Sequence, residues 1–171
     1  MPAGLKETSS LISVSFQVNE SAANTFTQDR VDLQLNPLDQ EVFVVYAINL
    51  DPFPPEAIDG VNTRTFTSLT TTTQTAVANL GVSNCLANAN TEIQAFAVPG
   101  AGGVISTSKA GETPATTLDY IGIIATNDFF VQVQGVGNVA ARGVSGRMYG
   151  VRAKASSSIY AALVQSEILS S

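Results

Sequence analysis

The sequence predicts an all-β chain, an antiparallel β-sandwich of jelly-roll type with one short C-terminal α-helix. Apolar and polar residues alternate with a period of two in segment after segment. Clusters of Pro, Gly, Asn and Asp separate these segments at short spacings, and helical periodicity becomes convincing only at the end. A βαβ layout would need helical crossovers, which the pattern lacks. No fixed-period repeat points to a solenoid or propeller.

Ile12–Val18 alternates apolar and polar, the signature of a half-buried strand, and residues 19–24 form a polar turn. Phe26–Leu35 ends with Val31, Leu33 and Leu35 on one face. Asn36-Pro37-Leu38-Asp39 is turn chemistry, because proline fixes φ while Asn and Asp cap their own backbone. Glu41–Leu50 is apolar on both faces and reads as a central strand covered on both sides. Asp51-Pro52-Phe53-Pro54-Pro55 leaves the sheet, since three prolines remove three ladder donors.

Thr63–Leu69, running into Thr70–Thr73, is β-branched and stiff at χ1, hence extended. Threonine on both faces controls register weakly, which places this strand at an edge or a subunit contact. Residues 76–80 suggest a short helical turn stopped at Gly81, inside a stretch to Asn90 with no clear period. Glu92–Val98 alternates again, Pro99–Gly103 is a tip, and Val104–Thr107 is its return strand. A loop at Lys109–Pro114 leads to strands at Tyr120–Ala125, Phe129–Gln134 and Val144–Lys154, about eight in all.

The helix runs from Ser156 to Leu169, with Ser156, Ser157 and Ser158 as N-cap hydroxyls. Ile159, Tyr160, Leu163, Val164 and Ile168 form its apolar stripe, and Glu167 falls within the same spacing as the exception. About fourteen residues are too few for a stable isolated helix. It must pack on its own sheet or on a neighbouring subunit. Residues 1–155 therefore read as the sandwich and 156–171 as the packed helix.

At 171 residues the chain is one domain, large enough for a core without disulfides or metal. Charged residues make up 13%, about half the usual share, and Thr, Ser, Asn, Gln and Gly take their place. Such a neutral, hydrogen-bonding surface suits burial in an assembly, since monomers use dispersed charge to avoid association. A β-rich extracellular domain would share the composition. Net charge is −6, unevenly spread: residues 1–141 hold four basic groups against thirteen acidic ones, while Arg142, Arg147, Arg152 and Lys154 face only Glu167. With pI near 4.4, nucleic-acid binding by the whole surface is not expected.

The lone Cys85 allows no intrachain disulfide. The first residues show no signal-peptide pattern, and no apolar run approaches the roughly 20 residues of a bilayer span, so a soluble protein made in a cytoplasm is expected. With no histidine, Ser-His-Asp and Cys-His catalysis and the familiar zinc sites are excluded. No calcium-loop spacing occurs. No catalytic residue, metal or cofactor is expected.

Gly135-Val136-Gly137-Asn138-Val139-Ala140 matches G-x-G-x-x-A after an apolar strand. A dinucleotide site needs a helix to begin there, so that its N-terminus meets the pyrophosphate. The chain instead continues through Arg142-Gly143-Val144-Ser145-Gly146 into a strand, which predicts a hairpin pairing Phe129–Gln134 with Val144–Lys154. The basic quartet is split: Arg142 lies in the loop, and Arg147 has the opposite strand parity to Arg152 and Lys154. Carboxylates of the acidic body, within or between subunits, are its expected partners, with non-specific contact to nucleic acid the second expectation.

Three segments resemble virion structural proteins of environmental, especially marine, viruses or bacteriophages: Asn127–Gly135, Gly146–Ala155 and Ile159–Glu167. The resemblance is to a small major capsid protein and covers about the last third of the chain. It implies many copies in a shell, other virion proteins as neighbours, a genome inside, no catalysis and no membrane. Capsid proteins of this size are often single jelly rolls, whereas tailed-phage capsid proteins usually have a longer, mixed α/β fold. The assembly candidates are then Arg142, Arg147, Arg152 and Lys154, with Ile159, Tyr160, Leu163, Val164 and Ile168. The alternative is a β-sandwich module binding a carbohydrate or a receptor, with Asp51, Phe53 and Asp59 facing the ligand.

Overall fold

The computed structural model describes residues 1–96, 103–109 and 118–169. Its elements are β1 (Leu5–Glu7), β2 (Ile12–Asn19), β3 (Thr27–Asp32), β4 (Glu41–Pro52), β5 (Thr63–Thr70), β6 (Cys85–Phe96), β7 (Gly103–Lys109), β8 (Gly122–Ile124), β9 (Asp128–Val136), β10 (Gly143–Ala155) and α1 (Ser157–Leu169). Two antiparallel sheets pack face to face, and α1 lies on the outside of one. In the first sheet β10 is flanked by β4, then β8, on one side. On its other side β2 pairs with residues 143–150 and β1 with residues 153–155, so β1 and β2 form one interrupted edge. The second sheet has the order β3-β9-β5-β6-β7.

The main core fills the space between the sheets. Val18, Phe43, Val45, Leu69, Phe129, Val131, Val133, Val144 and Met148 are its buried centre, and Leu33 and Leu35 seal one side. Burying each such large side chain contributes roughly 1.5–3 kcal/mol. A second cluster lies on the outside of the first sheet, where Val42, Val44, Val151, Ala153 and Ala155 meet Ile159, Tyr160, Leu163 and Val164 of α1. β4 is therefore covered on both faces, as its apolar run predicts. It reaches this through a bulge, because Tyr149 pairs with Ala47 but Gly150 with Val45, leaving Tyr46 extra. Phe43 and Val45 face inward before the bulge, and Ile48 and Leu50 after it.

Several expectations are corrected. Phe129–Gln134 and Val144–Lys154 are not a hairpin: β9 pairs with β3 and β5, β10 with β4 and β2, and the glycine-rich segment crosses between sheets. The threonine strand is not an edge but the centre of the second sheet. There Thr63, Thr65, Thr67, Ser68 and Thr70 are fully buried. Their hydroxyls are mostly satisfied, which sequence cannot show: Ser68 Oγ donates to Gln132 Oε1 at 2.7 Å, and Gln132 Nε2 donates to Thr70 Oγ1 at 2.7 Å and to Gln28 Oε1 at 2.8 Å. Thr65 Oγ1 is buried without a partner.

The turn expected over residues 76–80 is not helical. It covers the polar cluster instead, with Ala78 N donating to Ser68 Oγ at 3.0 Å and Asn88 Nδ2 donating to Ala78 O at 2.6 Å. β6 begins at Cys85 rather than Glu92, and β1 was not foreseen, its three residues being too few to show a period. The expected tip at Pro99–Gly103 before Gly103, and the expected loop after Lys109, lie outside the described residues.

Candidate functional site

The basic residues of the C-terminal quarter do not form one site. Arg142 lies in the crossing segment, where its Nη2 is 3.8 Å from Glu56 Oε1 and its Nη1 donates to Pro54 O at 3.2 Å. Arg152 points to the end of the sandwich. Its guanidinium reaches Glu41 Oε1 at 3.2 Å and donates to Leu33 O and Gln34 O at 3.0 Å each, tying the first sheet to the chain after β3. These two meet carboxylates of the acidic body within the subunit. Arg147 and Lys154 make no ion pair among the described residues.

The crossing segment is held by carboxylates. Glu20, 5% exposed, accepts from Thr25 N at 2.8 Å, Gly135 N at 2.9 Å and Arg142 N at 2.7 Å. Glu56 accepts from the N–H groups of Ala140 and Val139, which hold its carboxyl below the usual range, with Arg142 adding to the effect. Asn138 Nδ2 donates to Arg64 O at 3.0 Å, and its Oδ1 accepts from Glu56 N at 3.0 Å. Gly137 adopts φ +73, a left-handed conformation that glycine takes without steric cost. The G-x-G-x-x-A segment thus runs from the end of β9 into a pinned turn, and the amides of Gly135, Asn138, Val139 and Ala140 are occupied by the protein itself.

In α1, Ile159, Tyr160, Leu163 and Val164 pack on the first sheet of the same subunit. Ile168 does not belong to that stripe, being 60% exposed, while Glu167, the apparent exception, is the helix's buried residue. Its carboxylate accepts from Ala125 N at 2.6 Å and Thr126 N at 3.1 Å, capping the chain after β8. Burial pushes its pKa up, against the lowering effect of those donors. A carboxyl raised on folding stabilises docking below the ordinary carboxylate pKa, and that contribution is lost as pH rises through the raised value. The melting-temperature advantage of the native chain over Glu167→Gln should therefore shrink from about pH 4 upward; an advantage growing with pH would contradict this.

The half of the outer face of the first sheet not covered by α1 forms an open groove of about 600 Å³, lined by β2, β4 and β10. Antiparallel register sets Ser15, Arg147 and Asn49 in one cross-strand row, and Gln17, Ser145 and Asp51 in the next. Tyr149 closes one end. Arg147 Nε donates to Ser15 Oγ at 3.2 Å. The three residues expected around a ligand do not converge: Asp51 lines the groove, the Phe53 ring packs beside Gly143, and Asp59 lies in a separate turn closed by the Ile58–Val61 bridge. Sequence reasoning missed Ser15, Gln17 and Asn49 because only the register of three distant strands brings them together.

Among the described residues no three His, Cys, Asp or Glu side chains converge on a point, and no helix is long and apolar enough to cross a membrane. Compared with known proteins, the chain matches no family model and no curated protein.

Proposed function

We propose that this chain is a non-enzymatic structural protein of a virion, a self-assembling capsid shell subunit built on a jelly roll. The order of strand pairing carries the reading. Leaving aside the β1 and β7 additions, the pairs nest as β2 with β10, β3 with β9, β4 with β8 and β5 with β6. Such nesting supports a long antiparallel hairpin rolled on itself, the double Greek key of a jelly roll, an architecture recurrent in viral capsids. Fold alone is an analogy. The sparse charge and the resemblance to virion proteins add independent support.

In this reading many copies associate through sheet edges and the exposed end of α1, in contact with other virion proteins. Contact with packaged nucleic acid falls to Lys154, since Arg142 and Arg152 are engaged within the subunit and Arg147 shares the open groove with Asp51. Light scattering and negative-stain imaging of the purified protein should show particles or rings. A monodisperse monomer at high concentration would overturn the proposal.

Ile168 separates folding from assembly. Ile168→Ser changes an exposed side chain and should alter subunit stability by less than about 0.5 kcal/mol. In the shell reading it should still raise the concentration needed for assembly, as read by light scattering. Deleting residues 156–171 should instead destabilise the subunit, because it strips the cover from Val42, Val44 and Val151.

A further inference from the structure

We infer that the open groove on the first sheet is a binding site for a neutral oligosaccharide. The inference does not depend on whether copies of the chain assemble.

The groove is lined by polar side chains together with Phe16, Gly146 and Tyr149. Beyond the helix the outward side chains of β2, β4 and β10 include Ser15, Gln17, Asn49, Asp51, Ser145 and Arg147, while Val14, Val18, Ile48, Leu50, Val144 and Met148 turn into the core. Neighbouring strands lie about 4.8 Å apart and same-face residues along a strand about 6.8 Å apart, so these groups form a regular grid. Carbohydrate hydroxyls both donate and accept. The grid offers both roles at each step: carboxylate and amide oxygens accept, while guanidinium, amide nitrogens and serine hydroxyls donate. The planar amides and the guanidinium fork suit pairs of adjacent hydroxyls. Tyr149, half-buried at the end of the groove, supplies an aromatic face for the C–H side of a sugar ring.

Charge selects among ligands. Arg30, Arg64, Arg142 and Arg152 are each ion-paired, whereas Arg147 makes a single hydrogen bond to a serine and keeps the rest of its donors uncommitted among the described residues. Asp51, in the adjacent row, makes no ion pair either. The two opposite charges in one groove balance, so a phosphorylated or sulfated ligand attracted by Arg147 is repelled by Asp51. A neutral polyol engages both. The volume lies within the usual range of small-molecule sites, roughly 300–1,000 Å³, and its open, shallow shape suits a chain of sugars passing across the sheet.

Ligand-observed NMR and titration of the full chain with maltotriose, cellotriose and N-acetyllactosamine test this, with 3′-sialyllactose and inorganic phosphate as anionic probes. At least one neutral probe should bind saturably. Arg147→Ala and Tyr149→Ala should each weaken it about tenfold, the loss of one good polar or stacking contact, while Lys154→Ala leaves it unchanged. Both groove variants alter side chains outside the core, so unchanged thermal melting will show that folding is intact; should Tyr149→Ala lower melting, Tyr149→Leu and Asn49→Ala replace it. Failure of all three neutral probes, binding confined to the anionic probes, or binding that survives loss of both Arg147 and Tyr149 would each overturn the assignment.

Discussion

Replacing Phe43 with alanine is expected to destabilise the subunit by about 3–5 kcal/mol, a large share of the roughly 5–15 kcal/mol typical of a domain. Phe43 is 1% exposed and packs where β4 meets β10 beside the bulge. Its ring covers Gly150, where an added Cβ would lie 2.5 Å from Phe43 Cε1 and would also strike the Val44 carbonyl oxygen. Gly150→Ala alone should therefore cost about 1–3 kcal/mol through overpacking. The double variant should lose less than the sum, because removing the ring frees part of the space the methyl needs. Guanidinium unfolding followed by far-UV circular dichroism reads all three as shifts of midpoint at constant slope. Strict additivity would show that ring and glycine do not share the site.

Glu20→Ala should cost about 3 kcal/mol, the second largest expected effect. Its carboxylate is the common acceptor of three backbone N–H groups, from the turn after β2, the end of β9 and the start of β10. Alanine leaves Gly135 N and Arg142 N without this acceptor, while Thr25 N keeps Ala22 O at 3.2 Å, and each unsatisfied buried donor costs about 1–3 kcal/mol. Glu20→Gln keeps one acceptor oxygen and should fall between the two. Amide hydrogen exchange at Gly135 and Arg142 should accelerate well before global unfolding, because the crossing segment opens locally. Equal protection in the native chain and Glu20→Ala would contradict the role given to this residue.

These two sites mark where sequence reasoning succeeds and where it stops. Glu41–Leu50 announces a strand covered on both faces by its composition alone. The bulge at Tyr46 that switches which residues face inward leaves no trace in an all-apolar run. The threonine strand misleads for a related reason. Hydroxyls usually face water, yet here the Glu56 and Ala89 carbonyls, Gln132 and the 71–84 segment satisfy all but that of Thr65. The glycine-rich segment was separable from a nucleotide loop, since no helix follows it. Its amides are bound by Glu20 and Glu56, whose sequence separation from it hides the contact. Glu167 breaks an apolar stripe and is still its most buried member, because two backbone donors wait opposite it.

The charge asymmetry between body and tail shows the same division. Sequence alone placed four basic groups on a mostly extended tail and separated Arg147 from Arg152 and Lys154 by strand parity, which β10 keeps. Only the tertiary structure determined that Arg142 and Arg152 are engaged inside the subunit while Arg147 faces the open groove. Alternation, turn residues and the terminal helix are local, written in neighbouring residues by the periods of strand and helix, so the all-β class with its single helix was legible. Sheet order, bulge position and the groove's grid depend on pairing between segments up to more than a hundred residues apart. Those pairings are selected by burial and register across the whole sandwich, which no local period records.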